Sequence, residues 1–320
     1  MSLIKLRLSI LGTLAFIIGL STLAFTVVLT LVGGLNIFAI LAFVILFNLA
    51  QWIFGPAIID RLYRVKEVSS SEQPQLHRIV ESICQRAGLR KPKVMLADIP
   101  LANAFAYGSP RYGNRVAVTT GLLHNLEPDE VEAVLGHELG HLKHRDVQVM
   151  MFASVLPAIF YYIGSSFMYS SLWGGNRRDN GGAVLIGIAA MVLYWILSLM
   201  VLGLSRLREY YADQHVVETV DNGALKLSGA LARIASLDAR TTRTAGGSSG
   251  ISSFKTLFIA DPDTAKSDVE TISGYSKRLS NQELVNQMLS RRVTGFDRFM
   301  EIFSTHPNMV KRLRALQRAQ

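Results

Sequence analysis

The run His137-Glu138-Leu139-Gly140-His141 has the residue types and spacing to hold a metal ion and to work a water molecule on it. Two histidines four apart share one face of a helix, close enough for both imidazoles to meet a single ion. Glu138 is the next residue round the helix, placed to reach a water at the metal rather than the metal itself. With 7 histidines in 320 residues, a chance match to this pattern is rare. The chemistry expected is hydrolysis, with Zn2+ polarising a carbonyl and Glu138 taking the proton of the attacking water.

A hydrolytic zinc site needs a third protein donor and an open position. His144 lies seven residues beyond His137, a full turn past the metal, and the longer pattern that adds a third histidine after the motif is absent. A carboxylate is then the natural donor. Glu209 and Asp213, in Ser205-Arg206-Leu207-Arg208-Glu209-Tyr210-Tyr211-Ala212-Asp213, are again four apart on one helical face. Glu209 could be the donor and Asp213 the residue that orients a ligand histidine. On spacing alone, a solvated acidic pair beside arginines fits equally well.

The elements that must position these residues are apolar. The chain is 50% hydrophobic and 18% charged. Leu8–Ile59 contains no charge over 52 residues, enough for two spans joined at Val32-Gly33-Gly34-Leu35-Asn36. Two further uncharged windows flank a polar loop at 174–182. Four spans are expected, near 9–31, 37–59, 149–171 and 183–204. Lys5, Arg7, Arg61, Arg64, Lys66, Lys143, Arg145, Arg206 and Arg208 all flank the same side of these spans. That places both termini and the large polar segments in the cytoplasm of a multi-pass cell-membrane protein. The net charge of +9 is read as topology and anionic lipid, with no nucleic-acid partner. The single cysteine, Cys84, allows no intramolecular disulfide and fits a reducing compartment.

In the polar segment a helix is expected over Gln75–Ala87, closed by Gly88, followed by strands at Lys93–Ala97, Ala102–Tyr107 and Arg115–Thr119. The helix carrying the motif starts near Glu127-Pro128-Asp129-Glu130 and runs on towards the third span. Helix is expected to continue after the fourth span to about Ser236. A low-complexity loop at 241–253 follows, then helical sequence at 264–300 and a basic helix, Val310–Arg318.

HELGHLKHRD followed by an apolar hairpin and SRLREYYAD resembles the HtpX family of membrane zinc endopeptidases, relatives of the CAAX prenyl endoprotease. NAFAYG at 103–108, VAVTTGLL at 116–123 and STHPNMVKRL at 304–313 agree. The resemblance implies a mainly α integral membrane protein, with four transmembrane helices and a cytoplasmic gluzincin-type α+β metallopeptidase domain that has a small β-sheet. The domains would be a hairpin at 1–60, a peptidase part at 61–147, a second hairpin at 148–204 and a peptidase part at 205–320. It also implies one zinc ion held by His137, His141 and Glu209, with Glu138 as base and Asp213 in support. Asn103, Ala104, Phe105 and Ala106 would form an edge strand that pairs with an extended substrate, and His306 would stabilise the oxyanion. Substrates would be polypeptides, chiefly misfolded or damaged membrane proteins, in a quality-control and stress-response role. About 40 residues separate the family-like Thr256–Pro262 segment from His306, more than in the family, so 264–300 reads as a variable insert.

Other readings predict different things. An intramembrane protease would bury the motif in a span, but Glu127, Asp129, Glu130, Glu132, Lys143, Arg145 and Asp146 surround it. A scaffold with a structural metal site has no use for Glu138. A prenyl-cysteine protease would need more than four spans to enclose a large chamber.

Overall fold

The structure, a computed structural model, describes residues 37–173, 180–244 and 280–319. The span expected at 9–31 and the Thr256–Pro262 segment lie outside these residues. The described residues fall into two compact units, one within 37–52 and 148–202, the other within 53–147 and 203–319.

Three long helices supply the first unit. Helix α1 (Ile37–Leu62) carries Pro56 within it and continues into the second unit. Helices α5 (Asp146–Trp173) and α6 (Asn180–Thr219) follow later in the chain. Each is long and apolar enough to cross a membrane, over Leu41–Leu62, Asp146–Tyr169 and Gly182–Thr219. Large apolar side chains such as Leu46, Phe152, Leu185 and Trp195 point outward, as lipid-facing residues do. Helices α5 and α6 meet where Gly164 faces Met191 and Gly187 faces Met168. A Cβ on either glycine would come within 2.9 Å of the methionine opposite. Small residues here let the backbones close without a hydrophobic driving force between them.

The second unit mixes a sheet with helices. Strands β1 (Val65–Glu67), β2 (Lys93–Ala97), β3 (Ala104–Ser109) and β4 (Gly113–Thr119) form one sheet in the order β1-β2-β4-β3. The central pair β2/β4 is parallel and the outer pairs are antiparallel. Thr119 ends the sheet and starts helix α3 (Thr120–Asn125), its hydroxyl accepting the Leu122 N–H. Helix α2 (Pro74–Ala87) ends on Gly88 at φ 65°, a left-handed cap that glycine adopts without Cβ strain. Helix α4 (Pro128–Lys143) opens with a capping box between Glu127 and Glu130. Helices α7 (Gly223–Thr244), α8 (Asn281–Ser290), α9 (Gly295–Ile302) and α10 (Met309–Arg318) complete the unit. Val80 and Ile83 of α2, Leu135 and Leu139 of α4, Leu227 and Leu231 of α7, Met288 of α8 and Leu313 of α10 share one buried core.

Three expectations need correction. The motif helix does not run into the next one: His144 caps α4, Arg145 turns left-handed at φ 55°, and α5 restarts at Asp146. Helix also breaks between α6 and α7, at Asn222 with φ 55°. There a Cβ on Gly223 would lie 2.3 Å from the Val216 carbonyl oxygen. The run at 241–253 begins as the last turn of α7, the rest lying outside the described residues. Strand β1 and helix α3 are too short to show a periodicity in sequence.

Candidate active site

Helix α4 brings His137, Glu138 and His141 together, with one donor atom from each lying within 4.8 Å of the others. His137 Nε2 and His141 Nε2 are 3.2 Å apart. Helix α6 adds Glu209, with Oε2 3.5 Å from His137 Nε2 and Oε1 3.5 Å from His141 Nε2. Donors set tetrahedrally about a zinc ion, at ~2.0–2.1 Å from it, stand about 3.4 Å from one another. The Nε2–Nε2 spacing and the approach of the Glu209 carboxylate, which meets each imidazole through a different oxygen, are of that size.

The surroundings of the imidazoles also suit a cation. Asp213 Oδ1 lies 3.0 Å from His137 Nδ1, and Asp146 Oδ2 lies 2.5 Å from His141 Nδ1. A carboxylate can only accept, so each Nδ1 carries a proton, which leaves Nε2 of the neutral ring as the nitrogen able to ligate. Two lone pairs converging at 3.2 Å beside a carboxylate repel unless a positive charge sits among them. The same demand shows in the proton affinity of His137. Burial alone would lower it, but Asp213 and Glu209 outweigh burial and raise its pKa to about 9. The donor set therefore fits one Zn2+, two neutral imidazoles and a carboxylate being a usual zinc combination.

Close helix contact makes the arrangement possible. Gly140, inside the motif, faces His215 and Ala212 of α6, and Gly136 faces Val216 and Val220. A Cβ on Gly140 would sit 3.1 Å from His215 Cβ and 3.2 Å from Ala212 Cα, so a side chain there would crowd the contact between the two helices that carry His141 and Glu209.

Glu138 is 4% exposed and accepts a hydrogen bond from the Ala106 backbone N–H. Burial pushes its carboxyl up, against the pull of His141, His137 and that N–H. Asn103, Ala104 and Phe105 are buried beside it on or next to β3, which no described strand flanks on its outer side. Asn103 and Thr119 are hydrogen-bonded partners across β3 and β4. Antiparallel pairing alternates, so Ala104 and Ala106 turn their backbone groups to the open edge. His306 also reaches the site, its Nδ1 3.4 Å from Glu209 Oε2, on a turn held by mutual hydrogen bonds with the Ser304 hydroxyl.

Three residues here carry no signal of their own in the sequence. Arg312 of α10 is 1% exposed and donates from Nε and Nη2 to both oxygens of Asp213, at 2.9 and 2.6 Å. Its Nη1 lies 3.1 Å from Glu209 Oε2. Asp146 holds His141 and is paired in turn with Arg208. All three stand inside quoted motifs, but as charges without an assigned partner. Asp146→Ala should weaken zinc binding by about 10–100-fold, since His141 loses the group that fixes its tautomer, and should lower stability as well, since the buried Arg208 loses its partner. Competition against a chromophoric zinc chelator measures this, and unchanged affinity would take Asp146 out of the metal's support.

Buried histidines and carboxylates on α4 and α6, a small mixed sheet with an open edge, and apolar helices of membrane-crossing length define a protease of the membrane metallopeptidase class. The chain belongs to peptidase family M48, whose profile matches residues 70–320. Over 331 aligned residues it is 35% identical to the protease HtpX homolog of Thermoplasma acidophilum, covering 99% of both chains. It is 37% identical to protease HtpX homolog 2 of Sulfurisphaera tokodaii, over 87% of this chain and 84% of that one. A crystal structure of S. mikatae Ste24p shares the fold, with a TM-score of 0.55 at 18% identity over 98% of this chain and 67% of that one.

Proposed function

We propose that the chain is a zinc-dependent endopeptidase of the cell membrane that cleaves misfolded or damaged membrane proteins at the cytoplasmic face. His137, His141 and Glu209 hold the ion and Glu138 is the general base. The observation that carries this reading is the convergence of two imidazole Nε2 atoms and the Glu209 carboxylate beside a buried Glu138. When bound, zinc would polarise the scissile carbonyl and lower the pKa of a water molecule. Glu138 takes that water's proton and returns it to the leaving amine. Asp213 and Asp146 keep the imidazoles in the ligating tautomer. His306 donates to the oxyanion as it forms. The open edge of β3 receives an extended substrate backbone at Ala104 and at the Ala106 carbonyl, the Ala106 N–H being taken by Glu138, so selection falls on unfolded chain more than on side-chain sequence.

In this reading 1–60 and 148–204 are membrane hairpins with four spans, and 61–147 with 205–320 form the cytoplasmic peptidase. The basic flanks and the continuity of α6 from apolar sequence into Glu209 support it. The test is cleavage of unfolded casein by the full chain in detergent. Phenanthroline should stop cleavage and added Zn2+ restore it. Activity that survives complete zinc removal would sink the metal reading. Cleavage confined to a prenylated cysteine peptide would favour the CAAX-type alternative.

A further inference from the structure

Helix α9 turns an apolar strip outward. None of its residues is buried, and Phe296, Phe299 and Ile302, with Phe303 just after it, are exposed, Phe296 to 66% and Phe299 to 56%. The Phe299 and Phe303 rings pack edge to face at 5.4 Å. The acidic groups are engaged elsewhere. Asp297 caps the helix at Thr294 and pairs with Arg291, and Glu301 pairs with Lys311 and accepts the Asn308 N–H. Arg292 and Arg298 remain exposed near the strip.

Arg206 ties this helix to α6. Its Nη1 donates to the carbonyls of Glu301, Ile302 and Ser304, at 2.8, 3.1 and 2.8 Å, gathering the last carbonyls of α9. Arg206 stands two residues beyond the apolar run expected to cross the bilayer at 183–204. Whatever depth that run ends at, the C-terminal end of α9 is held within a side chain's reach of it.

We propose that α9 lies in the plane of the membrane interface, its phenylalanine strip among the upper acyl chains and Arg292 and Arg298 against anionic headgroups. Aromatic residues favour that zone, and a short amphipathic helix with basic flanks binds it through apolar burial and charge together. A strip of this kind left in water would expose a contiguous apolar patch. His306 follows Phe303 by three residues, so the anchor also sets the distance of the Glu209 pocket from the lipid surface. The inference rests on the proposed membrane insertion and not on the peptidase chemistry.

The experiment uses cysteine variants of the full chain labelled with an environment-sensitive fluorophore and reconstituted in phosphatidylcholine–phosphatidylglycerol vesicles. Native Cys84 does not interfere, because it is buried and burial pushes its thiol up to about 11. Phe299→Cys reports on the strip, Gln287→Cys on an exposed position of α8, and Ile196→Cys on an outward position of the span. The Phe299→Cys probe is expected to shift to the blue. It should be quenched by a nitroxide high on the acyl chain and protected from aqueous iodide, whereas Gln287→Cys shows the reverse. Iodide quenching at Phe299→Cys equal to that at Gln287→Cys would overturn the proposal. Protection from both quenchers would overturn it too, by showing that protein covers the strip. If Ile196→Cys also escapes a nitroxide carried deep on the acyl chain, the membrane reading falls with it; if Ile196→Cys is quenched by it, only the placement of α9 fails.

Discussion

Glu138→Gln is expected to lower kcat by about 10²–10⁴-fold while zinc content stays that of the native chain. The substitution preserves volume, and the amide oxygen can still accept the Ala106 N–H. It removes the ability to take a proton. A carboxyl raised by burial is closer to the ideal for a group that must both accept and return a proton near neutral pH. In the proposed role KM should change little, because a general base acts in the transition state and not in ground-state binding. Casein cleavage rates and metal analysis of one purified sample decide the matter. Native kcat in the variant would remove Glu138 as the base, and loss of zinc with activity would make its carboxylate a donor to the metal.

Arg312→Met should destabilise the peptidase unit by about 3–5 kcal/mol, the usual consequence of stripping one partner from a buried ion pair. Arg312 is the cation that both Asp213 and Glu209 face, and all three are nearly inaccessible to water. A zinc ion held as proposed would still neutralise Glu209 in the variant but would not reach Asp213. Thermal unfolding should therefore fall further for the chelated protein than for the zinc-loaded one. Arg312→Lys keeps the charge but loses the two-pronged contact with Asp213, so it should lie between Arg312→Met and the native chain. Adding Asp213→Asn to Arg312→Met should recover part of the loss by removing the orphaned charge. Equal unfolding temperatures for native and Arg312→Met chains would show that Asp213 finds its compensation elsewhere.

The parts of this site that were legible in the sequence are those written in local periodicity. Two histidines four apart announce a shared helical face without any tertiary information, and so do Glu209 and Asp213. The cap at Gly88 and the strands around Val94, Phe105 and Val116 follow from short-range rules of the same kind. What spacing could not distinguish was a solvated acidic pair from a buried one. That depends on Arg312, 99 residues beyond Asp213, and on the glycine contact that draws α4 against α6. The pairing of Asp146 with His141 was hidden for a different reason. A helix continuous through 145 would carry Asp146 onward, and only the left-handed residue Arg145 turns it back.

The pocket draws on three stretches of chain that leave the ribosome in turn. His137 and His141 emerge first, Glu209 and Asp213 only after the apolar hairpin between them, and His306 and Arg312 nearly a hundred residues later. Under the proposed assignment, a nascent chain made only through the hairpin offers metal two imidazoles and nothing more, too few to retain it against cellular buffers. One made through Asp213 has the donors but two buried negative charges and no guanidinium to balance them. Hydrolytic competence thus arrives late in synthesis, and a growing chain is spared from attack by its own unfinished neighbours.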